Sequence, residues 1–152
     1  MKLLTSIITL LSSLLFINLA QADPVKVGFV YVGPVGDHGW TYRHDIGRQQ
    51  VEEALGDQVK TSYIESVAYG PQAERVFREM AQTHDIVFGT SFGYMEPMLK
   101  VAKEFPNVKF EHATGYKQSD NLASYGLRLY QARHVQGIIA GMMTKTNKEL
   151  PI

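Results

Sequence analysis

The 152-residue chain contains no cysteine. That excludes disulfides, thiolate metal sites, a thiol nucleophile and the lipid-bearing cysteine of an anchored lipoprotein. It also lacks a surplus of charge, since fifteen Lys and Arg balance fifteen Asp and Glu. With no basic patch there is nothing to grip nucleic acid, and with no charge run nothing to hold a membrane surface. Beyond residue 22 no apolar run reaches spanning length. There is no internal repeat and no low-complexity segment. A small molecule or another protein is left as the partner.

The N-terminus reads as a secretory signal peptide over residues 1–22. Lys2 supplies the positive start, Leu3 to Leu19 the apolar stretch, and Ala20-Gln21-Ala22 an A-x-A cleavage site. The alternative is an uncleaved anchor, which Ser12, Ser13 and Asn18 weaken. Removal leaves 130 residues, enough for one domain with a core, in an exported, periplasmic protein beginning near Asp23.

From there strand and helix signals alternate. Val25 to Val32 is an apolar run, and Gly39 to Leu55 carries Trp40, Ile46, Gln50, Val51, Ala54 and Leu55 at helical spacing. Val59 to Glu65 reads as a strand. Gly70-Pro71 opens a helix with Ala73, Val76, Phe77, Met80 and Ala81 on one face. Asp85 to Gly89, Asn107 to His112 and Leu122 to Leu127 read as strands, and Met95 to Phe105 and Tyr130 to Lys145 as helices. The pattern predicts an α/β fold of three layers, a parallel sheet with helices on both faces.

In such sheets ligands gather at the C-terminal strand ends. The loops Gly33–Trp40, Ser66–Gly70, Gly89–Met95 and Ala113–Asn121 should meet there, bringing Trp40, Phe92, Tyr94 and Tyr116 to one rim. The first loop, Gly33-Pro34-Val35-Gly36-Asp37-His38-Gly39-Trp40, joins a buried strand to a helix N-terminus, whose free amides favour polar or anionic groups. Trp40 either packs on the sheet or stacks on a ligand. Asp37 either caps the helix or contacts the ligand, and the two roles are compatible. The glycine spacing is G-x-x-G-x-x-G, a poor dinucleotide fingerprint.

Two catalytic readings compete with binding. Gly89-Thr90-Ser91-Phe92-Gly93 matches G-x-S-x-G in a strand–turn–helix context, so a secreted hydrolase using Ser91 is one alternative. Asp120 and His134 are the late acid and histidine, but His134 falls inside a helix. The five histidines have no metal-ligand spacing, so neither metal nor cofactor is expected. A periplasmic sensor or interaction module is the other alternative.

Several of these segments, in order, resemble the basic membrane protein (BMP) family of ABC-transporter substrate-binding proteins, of the purine nucleoside receptor type. They are Lys26 to Thr41, Gly70 to Arg78, Asp85 to Tyr94, Val108 to Gly115 and Tyr130 to Thr146 with its Ile139-Ala140-Gly141. The resemblance implies one lobe of a type I periplasmic-binding-protein-like fold. It implies a protein that closes on a purine nucleoside or nucleobase and delivers it to an ABC-transporter permease. It would touch the membrane only through that permease, with no enzymatic step. Trp40 and Phe92 would be aromatic contacts; Asp37 and Glu96 acidic ones. Gly36, Gly39, Ser91, Gly93 and Tyr94 would complete the site with backbone or side-chain contacts. Glu96 stands where many relatives have Asp. The family has two lobes, so residues 23–152 are expected to form the N-terminal lobe without the second. Such a piece would have half a cleft, exposed apolar surface and weak or no binding alone.

Overall fold

A computed structural model describes residues 22–36 and 38–144. The expected signal peptide up to Gln21, Asp37 and the helix end at Lys145 lie outside the described residues. Among the described residues five strands, β1 (Val25–Val30), β2 (Val59–Ile64), β3 (Ile86–Gly89), β4 (Lys109–Ala113) and β5 (Leu122–Tyr125), are accompanied by four helices, one after each strand except β4. These are α1 (Gly39–Leu55), α2 (Pro71–Ala81), α3 (Met95–Glu104) and α4 (Leu129–Met143).

The strands form one sheet in the order β2-β1-β3-β4-β5, every pair parallel. Register runs from Val25↔Val59 through Val30↔Gly89 and Gly89↔His112 to Ala113↔Tyr125, so the strand C-termini align along one edge. Parallel strands need crossovers; a helix supplies each one up to β4, while the loop Thr114–Asn121 alone joins β4 to β5.

The period-two alternation of β1 sorts its side chains between two cores. Val30, with Val87, Phe110 and Leu122, packs against Ala73, Val76, Phe77 and Met80 of α2 and Met98, Val101 and Ala102 of α3. Pro71 opens α2 at its first turn, where no amide is needed. Gly89 is where α3 comes closest: a Cβ there would lie 2.2 Å from Met98 Sδ and 3.0 Å from Phe77 Cζ. On the other face Val27, Phe29, Tyr31 and Val59 form a smaller core with Val35, Ile86 and Phe88 around it.

Several boundaries shift. β1 stops at Val30 rather than Val32. Tyr31 N still donates to Ile64 O (2.9 Å), but Val32 has left the ladder. Val108 N donates to Phe105 O (3.1 Å), a turn that delays β4 to Lys109. β5 ends at Tyr125, two residues short of Leu127.

The face expected for α1 is corrected. Its buried residues are Thr41 and Asp45, while Gln50, Val51, Ala54 and Leu55 are exposed. The helix is held by polar contacts instead. Arg48 Nε donates to Asp45 Oδ1 (2.7 Å), Tyr31 Oη to Asp45 Oδ1 (3.2 Å) and Arg48 Nη1 to Thr61 Oγ1 (2.9 Å). The Arg48 guanidinium also lies 5.0 Å from the Tyr63 ring centroid. α1 therefore covers the β1–β2 side of its face. Beside it an apolar groove of about 750 Å³ runs over Val27, Phe29, Ile86, Phe88, Tyr125 and Leu127. All of α4 is solvent-exposed up to Met143. No helix among the described residues is long and apolar enough to cross a membrane.

Candidate functional site at the strand C-termini

The four loops leaving the C-terminal edge bind one another. Trp40, in the first turn of α1, donates its indole Nε1–H to Thr90 O after β3 (2.5 Å). Val35 N donates to Glu65 Oε2 after β2 (2.8 Å), and Ser66 N to Gly33 O (3.3 Å). Tyr69 Oη and Ser91 Oγ share a hydrogen bond of 2.8 Å. Lys117 Nζ, in the loop after β4, pairs with Glu96 Oε1 at the start of α3. The loops thus form a continuous rim.

Backbone conformation sets its shape. Gly36 (φ 53°) and Gly39 (φ 93°) lie in the left-handed region, and a Cβ at either would meet nothing within 4 Å. Glycine there is a demand of the turn and leaves the surface open. Gly93 instead makes room for a neighbour, since a Cβ would come within 2.6 Å of the Tyr69 ring. His38 takes the N-cap position of α1 with no side-chain cap bond, so the first amides of the helix lack a cap from this residue.

The structure brings together most of the residues singled out in the sequence. Trp40, Gly36, Gly39, Ser91, Phe92, Gly93 and Glu96 all lie on these loops or the helix ends they join. Phe92 and Tyr116 are more than half exposed, and their ring centroids stand 6.3 Å apart. Tyr94 differs. It is fully buried, its Oη donating to Val67 O (2.6 Å) and its ring edge-on to Phe77 (5.2 Å). Burial pushes its phenol well above the ordinary tyrosine range. It supports the rim from the core, because the 3-10 turn at Phe92–Tyr94 sends Phe92 outward and Tyr94 inward.

The serine reading of this loop meets two geometric facts. Ser91 is in ordinary extended conformation (φ −147°, ψ 146°), not the strained turn of a nucleophile elbow. Its hydroxyl partner is Tyr69, while the nearby imidazole, His112, faces its carbonyl: His112 Nε2 lies 2.8 Å from Ser91 O. His134 is exposed on α4. A hydrolytic dyad needs the base on the hydroxyl. No group of three or more His, Asp or Glu able to hold a metal occurs among the described residues.

Three features of the rim escaped the sequence reading. Tyr69 hides in a loop whose proximity to β3 depends on strand order, which periodicity does not give. Lys117 is one lysine among many until the loop folds over Glu96. The burial of His112 follows from the parity of β4, since Phe110 and His112 face the α2–α3 core.

A family model described as Bmp, ABC transporter substrate-binding protein PnrA-like, matches residues 24–151. A purine-binding protein of Brucella abortus is 55% identical over 124 residues, 81% of this chain and 35% of its own length. A Haloferax volcanii ABC-transporter protein named for glucose binding is 42% identical over 129 residues, 84% of this chain and 32% of its own. Among solved structures, an ABC-transporter solute-binding protein of Conexibacter woesei superposes with a TM-score of 0.67 at 26% identity. That match covers 77% of this chain and 40% of the other. The chain spans about a third of the length of the curated relatives it matches.

Proposed function

The chain belongs to the Bmp family of PnrA-like ABC-transporter substrate-binding proteins, and we propose that its rim forms one wall of a cleft for a purine nucleoside or nucleobase. The observation that carries this reading is the meeting of four loops at the strand C-termini with Trp40, Phe92 and Tyr116 on their surface. Exposed flat rings beside hydrogen-bonding groups suit a flat, polar-edged ligand. Trp40 and Phe92 stack on the base. Glu96 and Asp37 take polar edges or ribose hydroxyls, Glu96 exchanging Lys117 for ligand. Gly36, Gly39, Ser91 and Gly93 offer backbone or hydroxyl hydrogen bonds.

Purine is preferred over sugar because the Brucella relative, named for purines, is more nearly identical to this chain (55%) than the Haloferax one named for glucose (42%). Residues 23–152 act as the N-terminal lobe, closing against a second lobe for delivery to the permease. Family membership supports a place outside the cytoplasm, and the A-x-A site after residue 19 supports cleavage of residues 1–22.

One wall gives limited affinity, since base–aromatic stacking contributes about 1–3 kcal/mol per base. A dissociation constant on the order of millimolar corresponds to about 4 kcal/mol. Saturation-transfer NMR with adenosine, hypoxanthine and glucose tests the reading. Transfer to the purine protons, absent for glucose and reduced in Phe92→Ala, is the expected result. Equal transfer to glucose, or none to either purine, overturns it.

A further inference from the structure

Beneath the rim lies a polar side chain with an odd hydrogen-bond count. His112, at the C-terminal end of β4, is fully buried. Its Nε2 lies 2.8 Å from Ser91 O, so a neutral ring carries its proton there and donates it. Nδ1 is then a bare lone pair, and it has no hydrogen-bond partner among the described residues. Buried polar atoms without partners are uncommon enough to require a reason.

The reason is in the next turn. A Cβ on Gly115 would lie 1.8 Å from His112 Nδ1 and 2.3 Å from Cε1. Gly115 is not among the residues with left-handed φ, so its backbone does not demand glycine; the imidazole does. Thr114, between them, has φ +67°, a conformation that costs a β-branched residue about 1–3 kcal/mol. Its amide donates to Tyr125 O (2.8 Å), which holds the chain folded back over its own imidazole.

We propose that His112 is a positioning residue for the rim, joining the loop that bears Phe92 to the loop that bears Tyr116. One ring edge holds the β3 loop through Ser91 O, and the other is the surface on which Gly115 seats the β4 loop. The two exposed rings, 6.3 Å apart, stand one residue beyond these anchor points, at Ser91 and Gly115 respectively. Their spacing is therefore set from below, by a side chain that no ligand touches. The proposal rests on the rim being the binding face only for its functional consequence; the coupling of the two loops stands without ligand.

The test reads the loops directly. Trp40 is the only tryptophan, and its indole bonds Thr90 O beside Ser91, so its emission reports the β3 loop. His112→Leu should red-shift that emission and accelerate amide exchange at residues 91–94 and 115–116 at least tenfold, with β1 and β2 unchanged. His112→Gln, whose amide can reach Ser91 O, should restore both readouts. If His112→Leu does not fold, Gly115→Ala serves, because its Cβ must displace the imidazole and loosen residues 91–94 across the rim. Unchanged exchange at 91–94 in Gly115→Ala, or equal acceleration across the whole sheet in either variant, overturns the proposal. Coupled loops in a chain that transfers saturation to no purine support the positioning role and overturn the ligand reading alone.

Discussion

Asp45 shows how a single carboxylate fastens a helix. It is buried beneath α1 and receives bonds from Tyr31 Oη, Arg48 Nε and Gln49 Nε2. Burial pushes its pKa up, but these donors outweigh burial and hold it below the ordinary carboxylate value. Asp45→Ala leaves the half-buried Arg48 with Glu52 as its carboxylate partner and Tyr31 Oη without its acceptor, which costs about 1–3 kcal/mol in urea denaturation. The sign for pH follows. A depressed carboxylate stabilises above its unfolded value of about 4, and that contribution is lost as pH falls below it. His112 acts over a higher window. Burial lowers its pKa against the opposing pull of the Ser91 and Phe92 backbones. The unfolded chain therefore binds its proton first, and stability declines as pH drops below about 6.5. Acid denaturation should show both steps, the upper one missing in His112→Gln. The Asp45 network was illegible in the sequence because nothing in the spacing of Asp45 and Arg48 on one helix shows that Tyr31 and Thr61 come under them.

At the scale of elements, apolar spacing located α2 and α3 well because their stripes enter a core. α2 buries the five residues that the sequence placed on its apolar face. The same spacing also located α1 and α4, but not what they bury: the inward positions of α1 are polar, and the apolar residues of α4 stay in solvent. Ile138 and Ile139 are each 50% exposed. Replacing both with Ser should change the stability of the fold by no more than about 0.5 kcal/mol, checked by thermal unfolding. Gly89→Ala is the contrast. Its new methyl meets Met98 and Phe77 in the packed core, and overpacking of this kind costs about 1–3 kcal/mol. Glycine at that point of β3 read as a strand end next to a turn. Its true constraint is the approach of α3, which no local pattern carries.

For the whole molecule, the convergence of loops was legible because alternating β and α forces parallel strands, and parallel strands share one C-terminal edge. The order of the strands was not, and with it went the partners of Tyr69 and Lys117. The groove beside α1 and the apolar residues of α4 leave hydrocarbon in solvent, the kind of surface that favours association. Sedimentation velocity at rising concentration should show self-association, weakened in the Ile138→Ser, Ile139→Ser variant.

The order β2-β1-β3-β4-β5 also governs how the chain is made. β1, the first strand to emerge, needs β2 on one edge and β3 on the other. Its second edge stays open until synthesis has passed Gly89, roughly sixty residues later. Every pairing but β4–β5 waits for an intervening helix to be threaded, which favours slow assembly. Until then one bare edge of Val25–Val30 is available to any other extended chain. The first strand of the sheet is therefore fully paired only when more than half of the chain exists, so the fold is completed late and all at once rather than from the N-terminus onward.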